Sequence, residues 1–289
     1  MKRKNASAFL LIIILSATML LSGCGGKTSN STGVAKSAAS VSASMVVSAA
    51  TPVVTPTGIS AVMPGSPLVS ATPQSTGKKL NIVFVGNSYT YVPEIPDIFE
   101  SFGNVSVRSF TMGGAKLSDL APIVESFKDE DVVKNADIVV LQEWAAGLPL
   151  DGDTSVDQII NAFGKDKKYY YYCAFMNDAT AETIAADRDF LDKRNIELIP
   201  TWFYNEYDGP FLQMPVNFCL PNDYHPNPFY GYAVASTLYC MLFDKKCKDL
   251  PYDMIISRWL ADKTNDEKVE IIQGIQDACQ KTLDKYNSK

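Results

Sequence analysis

The feature that most constrains the fold of this chain is an alternation, between about residues 80 and 203, of short apolar runs with segments of helical periodicity. The first run, Leu80 to Gly86, is rich in β-branched and aromatic residues, as a strand buried on both faces requires. Strands that alternate with helices form βαβ units with right-handed crossovers and a mainly parallel sheet. The sequence therefore predicts an α/β fold, a three-layer α/β/α sandwich with a mainly parallel five-stranded sheet.

The elements predicted from these patterns extend almost to the end of the chain. The predicted strands are Leu80–Gly86, Asn104–Phe110, Ala136–Leu141, Lys168–Phe175 and Ile196–Phe203. The predicted helices are Glu94–Phe102, Leu117–Phe127, Val156–Phe163, Ala179–Arg194, Phe229–Phe243 and Asp266–Tyr286.

The N-terminus carries a targeting pattern. Three basic residues precede an apolar run from Ala8 to Leu21 that is short for a transmembrane span, and the run ends in Leu-Ser-Gly-Cys at Cys24. This pattern resembles a bacterial lipoprotein signal, in which the cysteine is acylated and becomes the new N-terminus; a plain secretory signal is the alternative. We expect residues 1–23 to be removed and the protein to be lipid-anchored at the extracellular face of the cell membrane.

A tether and one domain are expected to follow. Residues 24–78 consist mostly of Ser, Thr, Ala, Val, Gly and Pro and have no aromatic side chain, a composition that cannot offset its ordering entropy. Residues 79–289 have the length of one domain. The formal charge is -6, and removal of Lys2, Arg3 and Lys4 with the signal lowers it to -9. An acidic extracellular domain is a poor candidate for binding nucleic acid.

The cysteines do not indicate a disulfide framework or a zinc site. Apart from Cys24 there are five, and none of them is paired in a C-x-x-C motif. We expect most of them to be free and buried. One pair remains able to form a disulfide. The sequence also contains no phosphate-binding glycine loop and no cofactor motif, so no cofactor is expected.

Ser88 follows the first strand directly, in the sequence Gly86-Asn87-Ser88. In open α/β sheets, ligands bind outside the carboxyl ends of the strands, and this places Ser88 at the mouth of a site. The alternative is an ordinary strand-to-helix turn in which Ser88 is the helix N-cap. A second candidate is His225, the only histidine of the chain, which lies shortly before the helix predicted at Phe229–Phe243.

Four separated blocks occur along the chain: Gly86-Asn87-Ser88, Gly113-Gly114, Gln142 and Asp223-Tyr224-His225-Pro226. Their order resembles that of the SGNH hydrolases, also called GDSL-type esterases, over Leu80 to about Phe243. The form Val-Leu-Gln-Glu at Val140–Glu143, with Gly-Asn-Ser-Tyr-Thr at Gly86–Thr90, is similar to a bacterial branch of unassigned substrate. The resemblance implies the flavodoxin-like form of the α/β/α sandwich.

The resemblance implies a role for each block. Ser88 would be the nucleophile and His225 the general base. The oxyanion hole would comprise the N–H of Ser88, the N–H of Gly114 or less favourably Gly113, and the side-chain amide of Gln142. Such a constellation has the parts that acyl transfer requires. Asn87, Glu143, Trp144 and Asn177 are candidate pocket residues, although structural roles such as helix capping explain them as well.

The chain departs from the family pattern in two blocks. The third block usually carries Asn, and Gln142 provides the same amide on a longer side chain. The acid usually lies three residues before the histidine, where this chain has Asn222, whereas the carboxylate of Asp223 is two residues before it. Either Asp223 orients His225 through a shifted turn, or Asn222 and a backbone carbonyl hold the imidazole in a dyad.

Three functions are compatible with these patterns. The first is a surface-anchored serine esterase whose substrate is a small ester or an acylated carbohydrate, such as an O-acetylated polysaccharide. The second is a glycan-binding lipoprotein that keeps the fold with weak catalysis, as an amide at Asn222 would favour. The third is a solute-binding lipoprotein, which would require two lobes joined by a hinge.

Overall fold

The computed structural model describes residues 79–143, 154–173, 181–201, 218–221, 223 and 225–288. In the third of these ranges, side chains are described only from residue 187 onward. Its strands are β1 Leu80–Gly86, β2 Val105–Thr111, β3 Ile138–Glu143, β4 Lys168–Cys173 and β5 Ile196–Leu198. Its helices are α1 Ser88–Tyr91, α2 Ile95–Ser101, α3 Leu117–Ser126, α4 Asp131–Lys134, α5 Ser155–Phe163, α6 Ala181–Asp192, α7 Pro228–Phe243, α8 Asp253–Trp259 and α9 Asn265–Asn287.

The five strands form one sheet in the order β2-β1-β3-β4-β5, and every neighbouring pair is parallel. This is the flavodoxin-like order, with its topological switch point between β1 and β3. The α/β class, the five strands and their parallel arrangement are thus as the sequence predicts. In the part of the chain that the structure describes there is a single sheet, and the two hinged lobes that a solute-binding protein requires are not seen there.

Side chains alternate between the two faces of the sheet and form two cores. On one face, Ile82 and Phe84 of β1 pack with α2, α7 and α9. On the other face, Val83 and Val85 of the same strand pack with α3 and α5. Burial on both faces explains the apolar runs at residues 82–85 of β1 and residues 138–141 of β3.

The last strand is shorter than the sequence predicts. We expected a strand over Ile196–Phe203, but β5 ends at Leu198. Two residues later Pro200 has no N–H to donate to a ladder, and the N–H of Thr201 bonds locally to the carbonyl of Ile199 (2.7 Å). The correction shortens the sheet at its edge.

The expectation that most cysteines are free and buried is confirmed for the described residues. Cys173, Cys219, Cys240, Cys247 and Cys279 are all free thiols, and all except Cys219 are buried. None of the helices in the described ranges combines the length and the apolar character needed to cross a membrane. The predicted signal and tether, residues 1–78, lie outside the described residues.

Candidate active site

Ser88 begins α1, directly after the carboxyl end of β1. The N-cap of this helix is Asn87, whose Oδ1 accepts a hydrogen bond from the backbone N–H of Tyr89 (3.0 Å). The alternative that Ser88 itself is the cap is therefore wrong. Because Asn87 takes the capping role, the hydroxyl of Ser88 is not needed for it. The Ser88 residue retains 7% of its accessible surface.

The structure brings Ser88, His225 and Asp223 together. Nε2 of His225 lies 2.9 Å from Oγ of Ser88, and Nδ1 lies 2.7 Å from Oδ1 of Asp223. A carboxylate oxygen can only accept a hydrogen bond, so Nδ1 carries the proton of the neutral imidazole. Nε2 is then the acceptor for the Ser88 hydroxyl, which is the arrangement of a nucleophile beside a general base.

A tight turn explains how the two-residue spacing between Asp223 and His225 works. Oδ1 of Asp223 also accepts the backbone N–H of His225 (3.0 Å), a side-chain-to-backbone bond two residues along the chain, as in an Asx-turn. The turn is closed by the N–H of Leu220, which donates to the carbonyl of His225 (2.9 Å). Asp223 is therefore the group that faces the imidazole. Asn222, the other predicted candidate, lies outside the described residues.

The paired glycines predicted for the oxyanion hole lie in a loop that is bonded to the Ser88 turn. The N–H of Met112 donates to the carbonyl of Gly86 (3.3 Å), and Nδ2 of Asn87 donates to the carbonyl of Ala115 (2.9 Å). Gly113 and Gly114 between these anchors are exposed, and Gly114 has a φ of 71°, a conformation that favours glycine. The loop is bonded to the turn beside Ser88, and its role in an oxyanion hole stays a prediction.

Gln142 takes part in a buried network behind the turn. Its Oε1 accepts the backbone N–H of Asn87 (2.8 Å) and the hydroxyl of Thr90 (3.0 Å), while its Nε2 donates to the carbonyl of Glu143. The hydroxyls of Thr90 and Tyr172 lie 2.8 Å apart. Since the hydroxyl proton of Thr90 goes to Gln142, Tyr172 is the donor in that pair, and burial raises the pKa of Tyr172 and keeps it protonated.

This network gives Gln142 a position that the sequence did not predict. Its amide oxygen fixes the backbone at Asn87, one residue before Ser88. These contacts do not test the predicted role of Gln142 as an oxyanion donor. Gly86 leaves room for the network, because a Cβ there would lie 2.4 Å from Oγ1 of Thr90 and 2.7 Å from Oε1 of Gln142. The sequence indicated Thr90 only as the last residue of the Gly-Asn-Ser-Tyr-Thr motif and Tyr172 only as a strand residue, and it assigned neither of them to this network.

The remaining candidate pocket residues make contacts of different kinds. Glu143 is buried, and its Oε2 accepts the N–H of Leu117 at the start of α3 (2.9 Å), so it anchors a helix end. Asn87 serves as the helix cap and loop anchor described above. Trp144 and Asn177 lie outside the described residues. Within the described ranges, no three His, Cys, Asp or Glu side chains are grouped in a way that could hold a metal ion.

Comparison with known proteins finds similarity only among solved structures. No protein-family model and no curated protein sequence matches the chain. A protein from Slackia heliotrinireducens assigned as an SGNH hydrolase is 18% identical, with a TM-score of 0.40 over 54% of this chain and 95% of its own. The lipase Lip_vut3 from a goat rumen metagenome is 13% identical, with a TM-score of 0.40 over 56% and 96%. A member of the lipolytic G-D-S-L family from Veillonella parvula is 15% identical, with a TM-score of 0.41 over 57% and 99%.

Proposed function

We propose that the chain is a serine ester hydrolase of the SGNH type. The observation that carries the proposal is the continuous chain of contacts from Oγ of Ser88 through the imidazole of His225 to the carboxylate of Asp223. The position of Ser88 beside the β1/β3 switch point, where ligands bind in sheets of this order, supports it independently.

In the proposed first step, Oγ of Ser88 attacks the carbonyl carbon of the ester while Nε2 of His225 takes the hydroxyl proton. The negative charge moves to the carbonyl oxygen, for which Gly114 and the N–H of Ser88 are the proposed donors. The tetrahedral intermediate then collapses. The bond to the alcohol oxygen breaks, the proton on Nε2 passes to the departing alcohol, and the acyl group remains on Ser88.

In the second step, water attacks the acyl carbon and gives its proton to Nε2 of His225. The intermediate collapses to a carboxylic acid, and the proton on Nε2 returns to Oγ of Ser88. Asp223 stays ionised throughout, holds the N–H of Nδ1 and stabilises the imidazolium that forms in each step. The cycle needs no group beyond these residues and water.

The test is reaction of the purified full-length protein with a fluorophosphonate, combined with hydrolysis of a small acetyl ester. We expect one label per chain, on the peptide that contains Ser88, because only a serine activated by a base reacts readily. Heat-denatured protein is the control and should not be labelled. A native protein that is neither labelled nor active would contradict the proposal and favour the glycan-binding alternative.

We further propose that the substrate is an O-acetyl group of a polysaccharide and that the protein acts from a lipid anchor on Cys24. The support for both is the sequence: the lipoprotein-like signal, the tether over residues 24–78 and the family resemblance. Acetate release from an acetylated polysaccharide tests the substrate. In cells given a palmitate analogue, the wild-type chain should take up the label and Cys24→Ser should not, and equal uptake would rule out the anchor.

A further inference from the structure

The pair that orients the general base is open to solvent. The side chain of Asp223 is 47% exposed and that of His225 is 33% exposed. Solvent competes for the hydrogen bond between such groups, and it screens the attraction between their charges when His225 takes a proton. Asp223 also belongs to an irregular turn instead of a helix or strand. The carboxylate therefore holds the imidazole at one edge only, and that edge is open to solvent.

A second group contacts the imidazole from its face. The ring of Tyr89 stacks on the ring of His225, with centroids 5.2 Å apart and an angle of 27° between the planes. Tyr89 is the residue after the nucleophile, and its N–H is bonded to the capping Asn87. Its side chain is partly buried against the core formed by β1, α2 and α7. The turn that positions Ser88 thus also provides a fixed surface for the base.

We propose that Tyr89 is a positioning residue for catalysis, which holds the imidazole of His225 against Ser88 and stabilises its protonated form. The inference rests on the proposed hydrolase function. The face of an aromatic ring carries partial negative charge, so the stack becomes stronger when His225 takes the proton. An interaction that is stronger in the transition state than in the ground state raises kcat.

The state of the Tyr89 hydroxyl agrees with this role. Burial, the Asp223 carboxylate and Cys219 all raise the pKa of Tyr89, so the phenol stays protonated and neutral around pH 7. The contribution of Tyr89 to His225 therefore comes from the ring face. A phenylalanine at position 89 would keep that face, whereas a leucine would fill a similar volume without it.

The experiment compares Tyr89→Leu with Tyr89→Phe in the untagged full-length protein, on a small acetyl ester. We expect Tyr89→Leu to lower kcat about 10-fold with little change in KM. Tyr89→Phe should have a kcat close to that of the wild type, because it keeps the ring. Tyr252→Leu is the matched control, because Tyr252 is also partly buried against the same core and has no part in the site. It should leave kcat and KM unchanged.

A spectroscopic measurement tests the stack without relying on activity. His225 is the only histidine, so its imidazole signals in an NMR spectrum are unambiguous. Shielding by the stacked ring should move them upfield in the wild type and in Tyr89→Phe, and the shift should disappear in Tyr89→Leu. If Tyr89→Leu fails to fold, the wild-type shift and the kinetics of Tyr89→Phe still decide the question.

The outcomes separate this inference from the proposed function. A wild-type protein that hydrolyses the ester, with a Tyr89→Leu variant of equal kcat, would overturn the role of Tyr89 and leave the hydrolase intact. Equal losses in Tyr89→Leu and Tyr89→Phe would assign the effect to the hydroxyl and also overturn it. A wild-type protein that shows neither activity nor fluorophosphonate labelling would contradict the proposed function itself.

Discussion

Replacing Ser88 with alanine is expected to lower kcat for ester hydrolysis by about 10⁴-fold or more, because the covalent route through an acyl-enzyme is lost. The substitution removes one oxygen atom whose contact is His225. The cap of α1 comes from Asn87, so the turn should be retained and the melting temperature should stay close to that of the wild type. The measurement is the steady-state rate on a soluble acetyl ester together with a thermal melt.

Three further variants test whether this result is specific. Ser257→Ala changes an exposed serine on α8 and should have wild-type kinetics. His225→Gln should lose as much kcat as Ser88→Ala, and the double variant should lose no more than either, since residues that act as one unit are not additive. Hydrolysis at an undiminished rate in Ser88→Ala would refute the assignment of the nucleophile.

The fold was largely predictable because its strands are buried on both faces. Runs such as Ile82 to Val85 have no polar face, and only a covered parallel sheet accommodates several of them in one chain. Two short helices were not predicted. These are α4 and α8, which span four and seven residues and show no clear apolar period against the loops around them. The early end of β5 follows from Pro200, and a prediction from the apolar pattern alone does not take this proline into account.

The site was predictable in its members and not in its contacts. The order of the blocks pointed to Ser88 and His225, which the structure brings into contact, whereas the role of the glycine loop stays a prediction. The choice between Asn222 and Asp223 depended on a turn in which a side chain bonds two residues ahead, and spacing does not encode that. The stack of Tyr89 on His225 joins residues 136 positions apart, which a single sequence cannot reveal.

The position of His225 relative to Ser88 depends on how closely α7 packs on the segment after α1. At Gly231, in α7, a Cβ would lie 1.8 Å from the carbonyl oxygen of Pro93 and 2.8 Å from its carbonyl carbon. Both are backbone atoms, which cannot rotate away as a side chain can. His225 comes three residues before the start of α7, and Pro93 follows Ser88 by five residues. This contact therefore joins the segment that follows Ser88 to the helix that follows His225.

Gly231→Ala is consequently expected to destabilise the protein by about 3 kcal/mol or more, or roughly 10 °C in Tm, because α7 must move away from Pro93. The same movement should separate Nε2 of His225 from Oγ of Ser88 and lower kcat even below the melting range. Gly274→Ala, at a partly exposed position within α9, is the matched control. Alanine is the better helix former, so this variant should be as stable as the wild type or more stable by up to about 1 kcal/mol. If Gly231→Ala has the same Tm as the wild type while Gly274→Ala behaves as expected, the close approach of α7 to Pro93 does not hold the site together.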